Sequence, residues 1–407
     1  MALTINTQPS SALIWSAYRP IQYEVDSNDG TIVNIIADIW LDGAYYKTIT
    51  HPANAVGTSL FDVQTQLAGR HAALLKANEW HLPDIGDGTI TSGNSYDLSL
   101  QIKFFEQTEN ASSGLLESDW EADGAGSPVG ATSNTVVVLP AAPQQDSTTP
   151  PTEFMMGDAN SVGYTPKLFM TNAPRTQTIY GLTQDAYVSA YIAYADPSTT
   201  KLSITKYNAA GTPLSEHRED YTATGYTIFP CGSNNINDLN AGFIDSSVAY
   251  YELKLIDDDL TVEDVSETLT FNLDMGCNPI HHTFQFMNQG AGWDTFVIRD
   301  SVSEKIKIER TKYGQFIGAD WNSKSAPVET LAIDSSIIYR TQQDDLTLTE
   351  SIWLYQLVQS NIIYLDKGGV RFTVNIAPGT FEVIAPDDPS GLIAFAYSLF
   401  DLIKQDN

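Results

Sequence analysis

The sequence predicts a mainly β protein: an N-terminal β-sandwich-like domain, a Pro-rich linker, and a C-terminal mainly β region of one or two β-domains with one short helix near 348–359. Three observations predict it. Apolar and polar residues alternate at period 2 in one stretch after another, the pattern of strands buried on one face. Turn signals such as Asp42-Gly43, Asn208-Ala-Ala-Gly211 and Lys367-Gly-Gly369 punctuate these stretches. Segment 140–153 is rich in proline among small polar residues, a composition that builds no core and favours a semi-rigid extended spacer.

The first domain, 1–139, opens with Ile21, Tyr23 and Val25 alternating with Gln22 and Glu24. Val33, Ile35, Ala37, Ile39 and Leu41 then share one face of a strand, and Asp42-Gly43 turns the chain into a second strand over 45–49. Within 61–75, Val63, Leu67, Leu74 and Leu75 recur near helical spacing, so a short helix or helical crossover is expected. Leu98, Leu100, Ile102 and Phe104 alternate with Ser99, Gln101, Lys103 and Phe105. An exposed loop over 107–134 precedes the closing strand 136–139. After the linker, a β-domain over 154–275 takes strands at 167–170, 187–194, 201–207 and 249–256.

The last β-domain, 276–407, starts with the longest run of strand signals in the chain, residues 277–313. Thr283, Gln285 and Met287 alternate with Phe284, Phe286 and Asn288. A turn at 288–292 follows, where Gly292 is expected to need positive φ, and a second strand covers 293–298. A third, 305–310, would turn Ile306 and Ile308 inward and Lys305, Lys307 and Glu309 to water, which makes a β-meander with one wet face. Further strands are read at 331–340, 362–365, 370–376 and 381–384. Thr347-Leu-Thr-Glu350 has the form of a capping box, opening a helix with Leu354, Leu357 and Val358 on one side as far as Gln359. Segment 391–404 reads as a strand or a helix.

At 407 residues with 42% hydrophobic composition, the length prior is two to four domains with real cores. Lys and Arg total 21 against 50 Asp and Glu, so a net charge of −29 disfavours nucleic acid and anionic membrane surfaces as partners. Two cysteines, Cys231 and Cys277, are too few for a disulfide scaffold, and reduced thiols are expected. The first residues show no basic segment followed by an apolar core, and the longest apolar run, near 392–400, is too short to span a bilayer.

Candidate sites are few. His281-His282 is the sole adjacent histidine pair and lies near Cys277, but strand neighbours point to opposite faces and no spaced ligand completes a tetrahedral set. The acidic turns 26–30, 84–88 and 257–259 offer oxygen ligands but lack the spacing of a calcium loop with a distal Glu. With 50 acids, some carboxylates will fall close together by chance, so a glycosidase-like pair is not informative. Trp353, Phe284, Phe286 and Phe296 read as core, and the 20 tyrosines suit loop contacts and β-sheet cores equally. No nucleophile elbow, phosphate loop, zinc-protease motif or dinucleotide fingerprint occurs, so the expectation is no catalytic residue, no cofactor and no metal.

A set of short motifs resembles one family. Leu168-Phe-Met-Thr-Asn-Ala-Pro-Arg175, Lys206-Tyr-Asn-Ala-Ala-Gly211, Cys277-Asn-Pro-Ile280 and Phe286-Met-Asn-Gln-Gly-Ala-Gly-Trp-Asp-Thr-Phe296 occur in that order. They are framed by Trp15-Ser-Ala-Tyr-Arg-Pro-Ile-Gln-Tyr-Glu-Val25 and by a C-terminal element, Thr349-Glu-Ser-Ile-Trp-Leu-Tyr, ending at Ile363-Tyr-Leu365. Together they resemble virion structural proteins, tail-associated or tail-tip, of tailed bacteriophages that infect Bacteroidetes, with Met287 and Ala291 departing from the commoner Leu and Gly. The resemblance spans most of the chain and rests on turn and core signatures. It implies a protein that assembles with copies of itself and with other virion proteins, located in the virion after assembly in the host cytoplasm. It carries no catalytic residues over. A tail protein that binds a host-surface glycan or receptor is the alternative expectation, and a polysaccharide-degrading enzyme a third.

Overall fold

The computed structural model describes, apart from short interruptions, residues 3–70, 82–118, 130–139, 155–156, 164–193, 199–276, 282–314, 328–377, 382–383 and 391–399. The linker 140–153 and most of the 107–134 loop lie outside them. The fold is mainly β, in several mostly antiparallel sheets, as the alternation predicts. The chain forms two compact units: Met1–Leu273 with Asn288–Trp293, and Asp274–Met287 with Asp294–Asn407.

In the first unit a seven-stranded sheet runs in the order Ile14–Ser16, Val136–Leu139, Leu98–Glu109, Ile32–Leu41, Ala44–Pro52, with two short strands added on Leu98–Glu109. Alternation fixes its buried face: Leu98, Leu100, Ile102 and Phe104 are buried while Ser99 is exposed. Asp42 and Gly43 both take positive φ, 51° and 76°, the two-residue hairpin loop whose twist matches the strands it joins. A three-stranded sheet of Thr4–Thr7, Gln22–Asp26 and Thr58–Asp62 packs against it. Rings meet across the layer, with Phe104 centred 5.8 Å from Tyr23 and 5.4 Å from Phe61, so the sandwich-like reading holds. Residues 64–68 are helical, within the expected 61–75 segment.

A second pair of sheets follows in the same unit. One has six strands in the order Thr176–Tyr180, Leu269–Asp274, Tyr250–Asp257, Thr200–Tyr207, Pro213–Asp220, with Glu263–Asp264 on Tyr250–Asp257. The other has four: Met155–Met156, Tyr187–Ile192, Gly225–Pro230 and Thr91–Ser92. Their core includes Phe169, Val188, Ala190, Leu202, Ile204, Phe229, Tyr251, Leu253 and Phe271, with Cys231 buried among them. The helix Ser233–Leu239 follows strand Gly225–Pro230. Thr91–Ser92 reaches this sheet from the N-terminal third of the sequence, and a few residues before it Gly88 N donates to Asp238 Oδ2 at 2.9 Å. Residues 167–170 do not form the expected strand. Lys167 makes one bridge to Ser266, while the Phe169 amide bonds the Glu267 carboxylate and the Met170 amide bonds Ser189 O. A short apolar run satisfied by such scattered partners looks like a strand in sequence alone.

The second unit is built on an eight-stranded sheet in the order Trp293–Ile298, His282–Met287, Ile363–Lys367, Val370–Ile376, Gly391–Leu399, Val328–Leu346, Val302–Gly314, with Glu382–Val383 on Gly391–Leu399. Segment 391–399 is therefore a strand. Helix Leu348–Gln359 has the predicted capping box: Thr347 accepts from the Glu350 amide, and the Glu350 carboxylate accepts from the Thr347 amide. Two expectations are overturned. The strands at 283–298 and 305–310 do not form one meander, because Val302–Gly314 sits at the far end of the sheet from Trp293–Ile298 and pairs with Val328–Leu346 instead. Periodicity marks a strand but does not choose its partner, and the thirteen-residue strand finds a longer register with the later one. Nor is there one wet face, since His282–Met287 is buried at every position.

Candidate functional site

The positions that sequence nominates resolve into packing. His282 is buried, its Nδ1 is 2.6 Å from Tyr397 Oη, and its ring packs near Phe284 and Tyr397. Burial pushes the Tyr397 phenol above its ordinary value. The histidine is a satisfied core residue; His281 and Cys277 lie outside the described residues. Trp353 is buried between Phe286 and Phe296, with ring centroids 6.0 and 5.8 Å away, and its Nε1 donates to the buried Asp294 Oδ2 at 2.7 Å. Among the described residues no three His, Cys, Asp or Glu side chains gather as metal ligands.

The described residues of the acidic turns serve as stitching; residues 28–30 lie outside them. Asp26 accepts hydrogen bonds from Thr58 and Asn6, which hold its carboxyl below the usual range and tie its strand to both neighbours. This group's stability contribution is present above its unfolded pKa and is lost as pH falls through the lower folded value. Acid titration of Asp26→Asn should therefore show less loss of stability below pH 3.8, the ordinary value, than the parent chain. In turn 84–88, of which 86–88 are described, Gly86 N donates to Asp185 Oδ2 at 2.7 Å and Asn235 Nδ2 to Asp87 O at 3.1 Å. Asp257 is buried and Asp258 pairs with Arg218 at 3.2 Å, while Asp259 lies outside the described residues.

Beside the end of strand Pro213–Asp220 lies an open hollow of about 720 Å³, lined by Glu219, Asp220, Asp238, Thr89, Thr222 and Thr224 together with Ile90, Tyr221 and Leu239. Its carboxylates are engaged: Asp220 with Lys201 at 2.5 Å, Asp238 with Gly88 N, and Glu219 within 3.3 Å of His217 Nε2. Polar and acidic, it can take a hydroxyl-rich or cationic group.

A different feature is built at the far edge of the eight-stranded sheet. Strand Val302–Gly314 pairs with Val328–Leu346 from Val302 opposite Thr341 to Gly314 opposite Val328. Strand Gly391–Leu399 pairs with Val328–Leu346 only from Tyr339 onward. Residues 305–314 and 328–338 thus run on as a two-stranded ribbon, with no third strand among the described residues. At about 3.3 Å per residue the ribbon is roughly 30 Å long. Ile306, expected to face inward, is 64% exposed, and its cross-strand partner Ile337 is 45% exposed. The reason is positional: past the sheet's own third strand, no layer among the described residues covers that face.

No protein-family model matches this chain.

No curated protein matches it either. The ribbon was only half legible in sequence. The alternation of Ile306 and Ile308 with Lys305 and Lys307 marks a strand, but the signal for an uncovered arm is the unusual charge. Lys305, Lys307, Arg310 and Lys312, four of the chain's 21 basic residues, fall within one short stretch of a strongly acidic protein.

Proposed function

We propose that this chain is a structural component of a bacteriophage virion, tail-associated or at the tail tip, which acts through self-assembly and contacts with other virion proteins and not through catalysis. The observation that carries the reading is the ribbon at 305–314 and 328–338. A two-stranded hairpin is marginal alone in water, and a roughly 30 Å arm whose two edges pair with nothing among the described residues gains its order when another surface covers it. Assembly proteins supply such a surface. The motif resemblance supports the same reading, and the charge of −29 disfavours nucleic acid as a partner. No described helix is long and apolar enough to cross a membrane.

A second reading, a tail protein binding a host-surface glycan, draws on the threonine- and acid-lined hollow at Glu219 and Asp238. Quantitative mass spectrometry of purified particles tests the first. Several copies per particle are expected, and absence of the chain from particles would overturn the reading. Specific binding of the isolated chain to host cells, lost with Asp238→Ala, would favour the second.

A further inference from the structure

Residues 86–92 come from the first third of the sequence, yet their partners belong to the second pair of sheets. Thr91 and Ser92 stand opposite Ile228 and Thr227 as the outermost strand of the four-stranded sheet. Gly86 N donates to Asp185 Oδ2 at 2.7 Å, Gly88 N to Asp238 Oδ2 at 2.9 Å, and Asn235 Nδ2 to Asp87 O at 3.1 Å. Ile90, partly buried, packs against the core of the same pair of sheets. We infer that this strap is a latch: it holds the N-terminal sandwich on the second pair of sheets whether or not the linker 140–153 is intact, and its release frees the sandwich on its tether.

The seat is organised independently of the strap. Asp185 is buried and also accepts from Asn234 Nδ2 at 2.9 Å. Asn235 is fully buried, its Oδ1 accepting from Ala186 N at 2.9 Å and its Nδ2 donating to Tyr187 Oη at 3.1 Å. These partners lie in 185–187 and 234–235, so the second pair of sheets aims the seat's own polar groups and the strap meets them already in place, which lowers the ordering cost of docking. The seat is also selective. A Cβ on Gly88 would fall 2.3 Å from Asn235 O and 2.9 Å from Leu239 N, both backbone atoms, so glycine alone fits there. A short linker supplies an effective concentration on the order of 1 mM, so a seat with a dissociation constant of about 10 µM is filled about 99% of the time in the intact chain. Cutting the linker removes that concentration without touching a contact, and what remains is the strength of the seat. The latch goes beyond the assembly reading and stands or falls apart from it.

The test uses the full chain with a specific protease site inserted in the linker, cut and then followed by sedimentation velocity over a concentration series at about 150 mM salt, where the screening length is about 8 Å. The two pieces of the parent chain are expected to stay associated, with an apparent dissociation constant below about 10 µM. Gly88→Val and Ile90→Asp, both on the strap itself, should each weaken that association at least about tenfold. In the uncut chain both variants should speed hydrogen exchange at 86–92 and leave 200–207 and 250–257 protected as in the parent. Lys47→Ala, on an exposed strand of the N-terminal sandwich, should change neither readout. Parent pieces that part more readily than expected overturn the latch. An effect under tenfold in either strap variant also overturns it, because another contact would then be holding the sandwich. Loss of protection at 200–207 in the uncut variants refutes it as well, since the strap would then be part of the core it was taken to clasp.

Discussion

Gly292→Ala is expected to lower the melting temperature of the first unit by about 10 °C, whereas Gly290→Ala should change it by about 2 °C or less. The two glycines lie two residues apart in one turn. A Cβ built on Gly292 falls 1.7 Å from Met170 O, a distance no side chain can accept, while at Gly290 the nearest atom is Asn288 Oδ1 at 3.3 Å. To admit the methyl group the turn must withdraw from Met170, which disturbs a buried network. Asn288 Nδ2 donates to Met170 O at 2.7 Å, Tyr226 Oη to Ala291 O at 2.8 Å, and Trp293 N to Ser189 Oγ at 3.0 Å. Overpacking and loss of buried hydrogen bonds together come to about 3 kcal/mol or more. Equal effects of the two substitutions, read by scanning calorimetry, would show that the close approach is absent in solution.

The second large effect belongs to Trp353. Trp353→Ala removes a ring packed between Phe286 and Phe296 and takes away a donor to the buried Asp294 carboxylate. Large-to-small replacement in a core costs about 3–5 kcal/mol, and weakening the support of a buried charge adds to it. Trp353→Phe keeps most of the packing and loses the donor, so about 1–3 kcal/mol is expected. A double variant, Trp353→Phe with Asp294→Asn, should recover part of that loss in urea unfolding. No recovery would mean that the hydrogen bond to Asp294 is not what the phenylalanine lacks.

Legibility in the sequence followed physical cause. Strands with one buried face, such as Leu98–Glu109 and Ile32–Leu41, declare themselves because burial imposes period 2. Strand Pro213–Asp220 does not: it lies at a sheet edge, mostly exposed, and its sequence is almost wholly polar. The helix Leu348–Gln359 was readable from its cap, since Thr347 and Glu350 must stand three residues apart to satisfy each other's amides. Turn 288–292 was found, but for a partly mistaken reason. Positive φ falls on Ala291, at 66°, and Gly292 is required by the approach of Met170, a contact across more than a hundred residues that local pattern cannot reveal. Ile306 was misread for a similar reason, because alternation tells which residues share a face and not whether anything covers it.

The short strand Thr91–Ser92, seated on Gly225–Pro230 with Gly88 held by Asp238, has a consequence for how the chain is made. Those partners stand 150 residues apart for Gly88 and Asp238, so on a ribosome adding about 5–20 residues per second the earlier segment waits roughly 8–30 s for its dock to be synthesised. During that interval the nascent N-terminal sheets can close, while segment 86–92 remains without its partners. Folding of the second pair of sheets must then recapture a loop from an already finished neighbour. A slow phase that Gly88→Ala lengthens, and that is absent from a fragment lacking residues after 139, would be its kinetic trace.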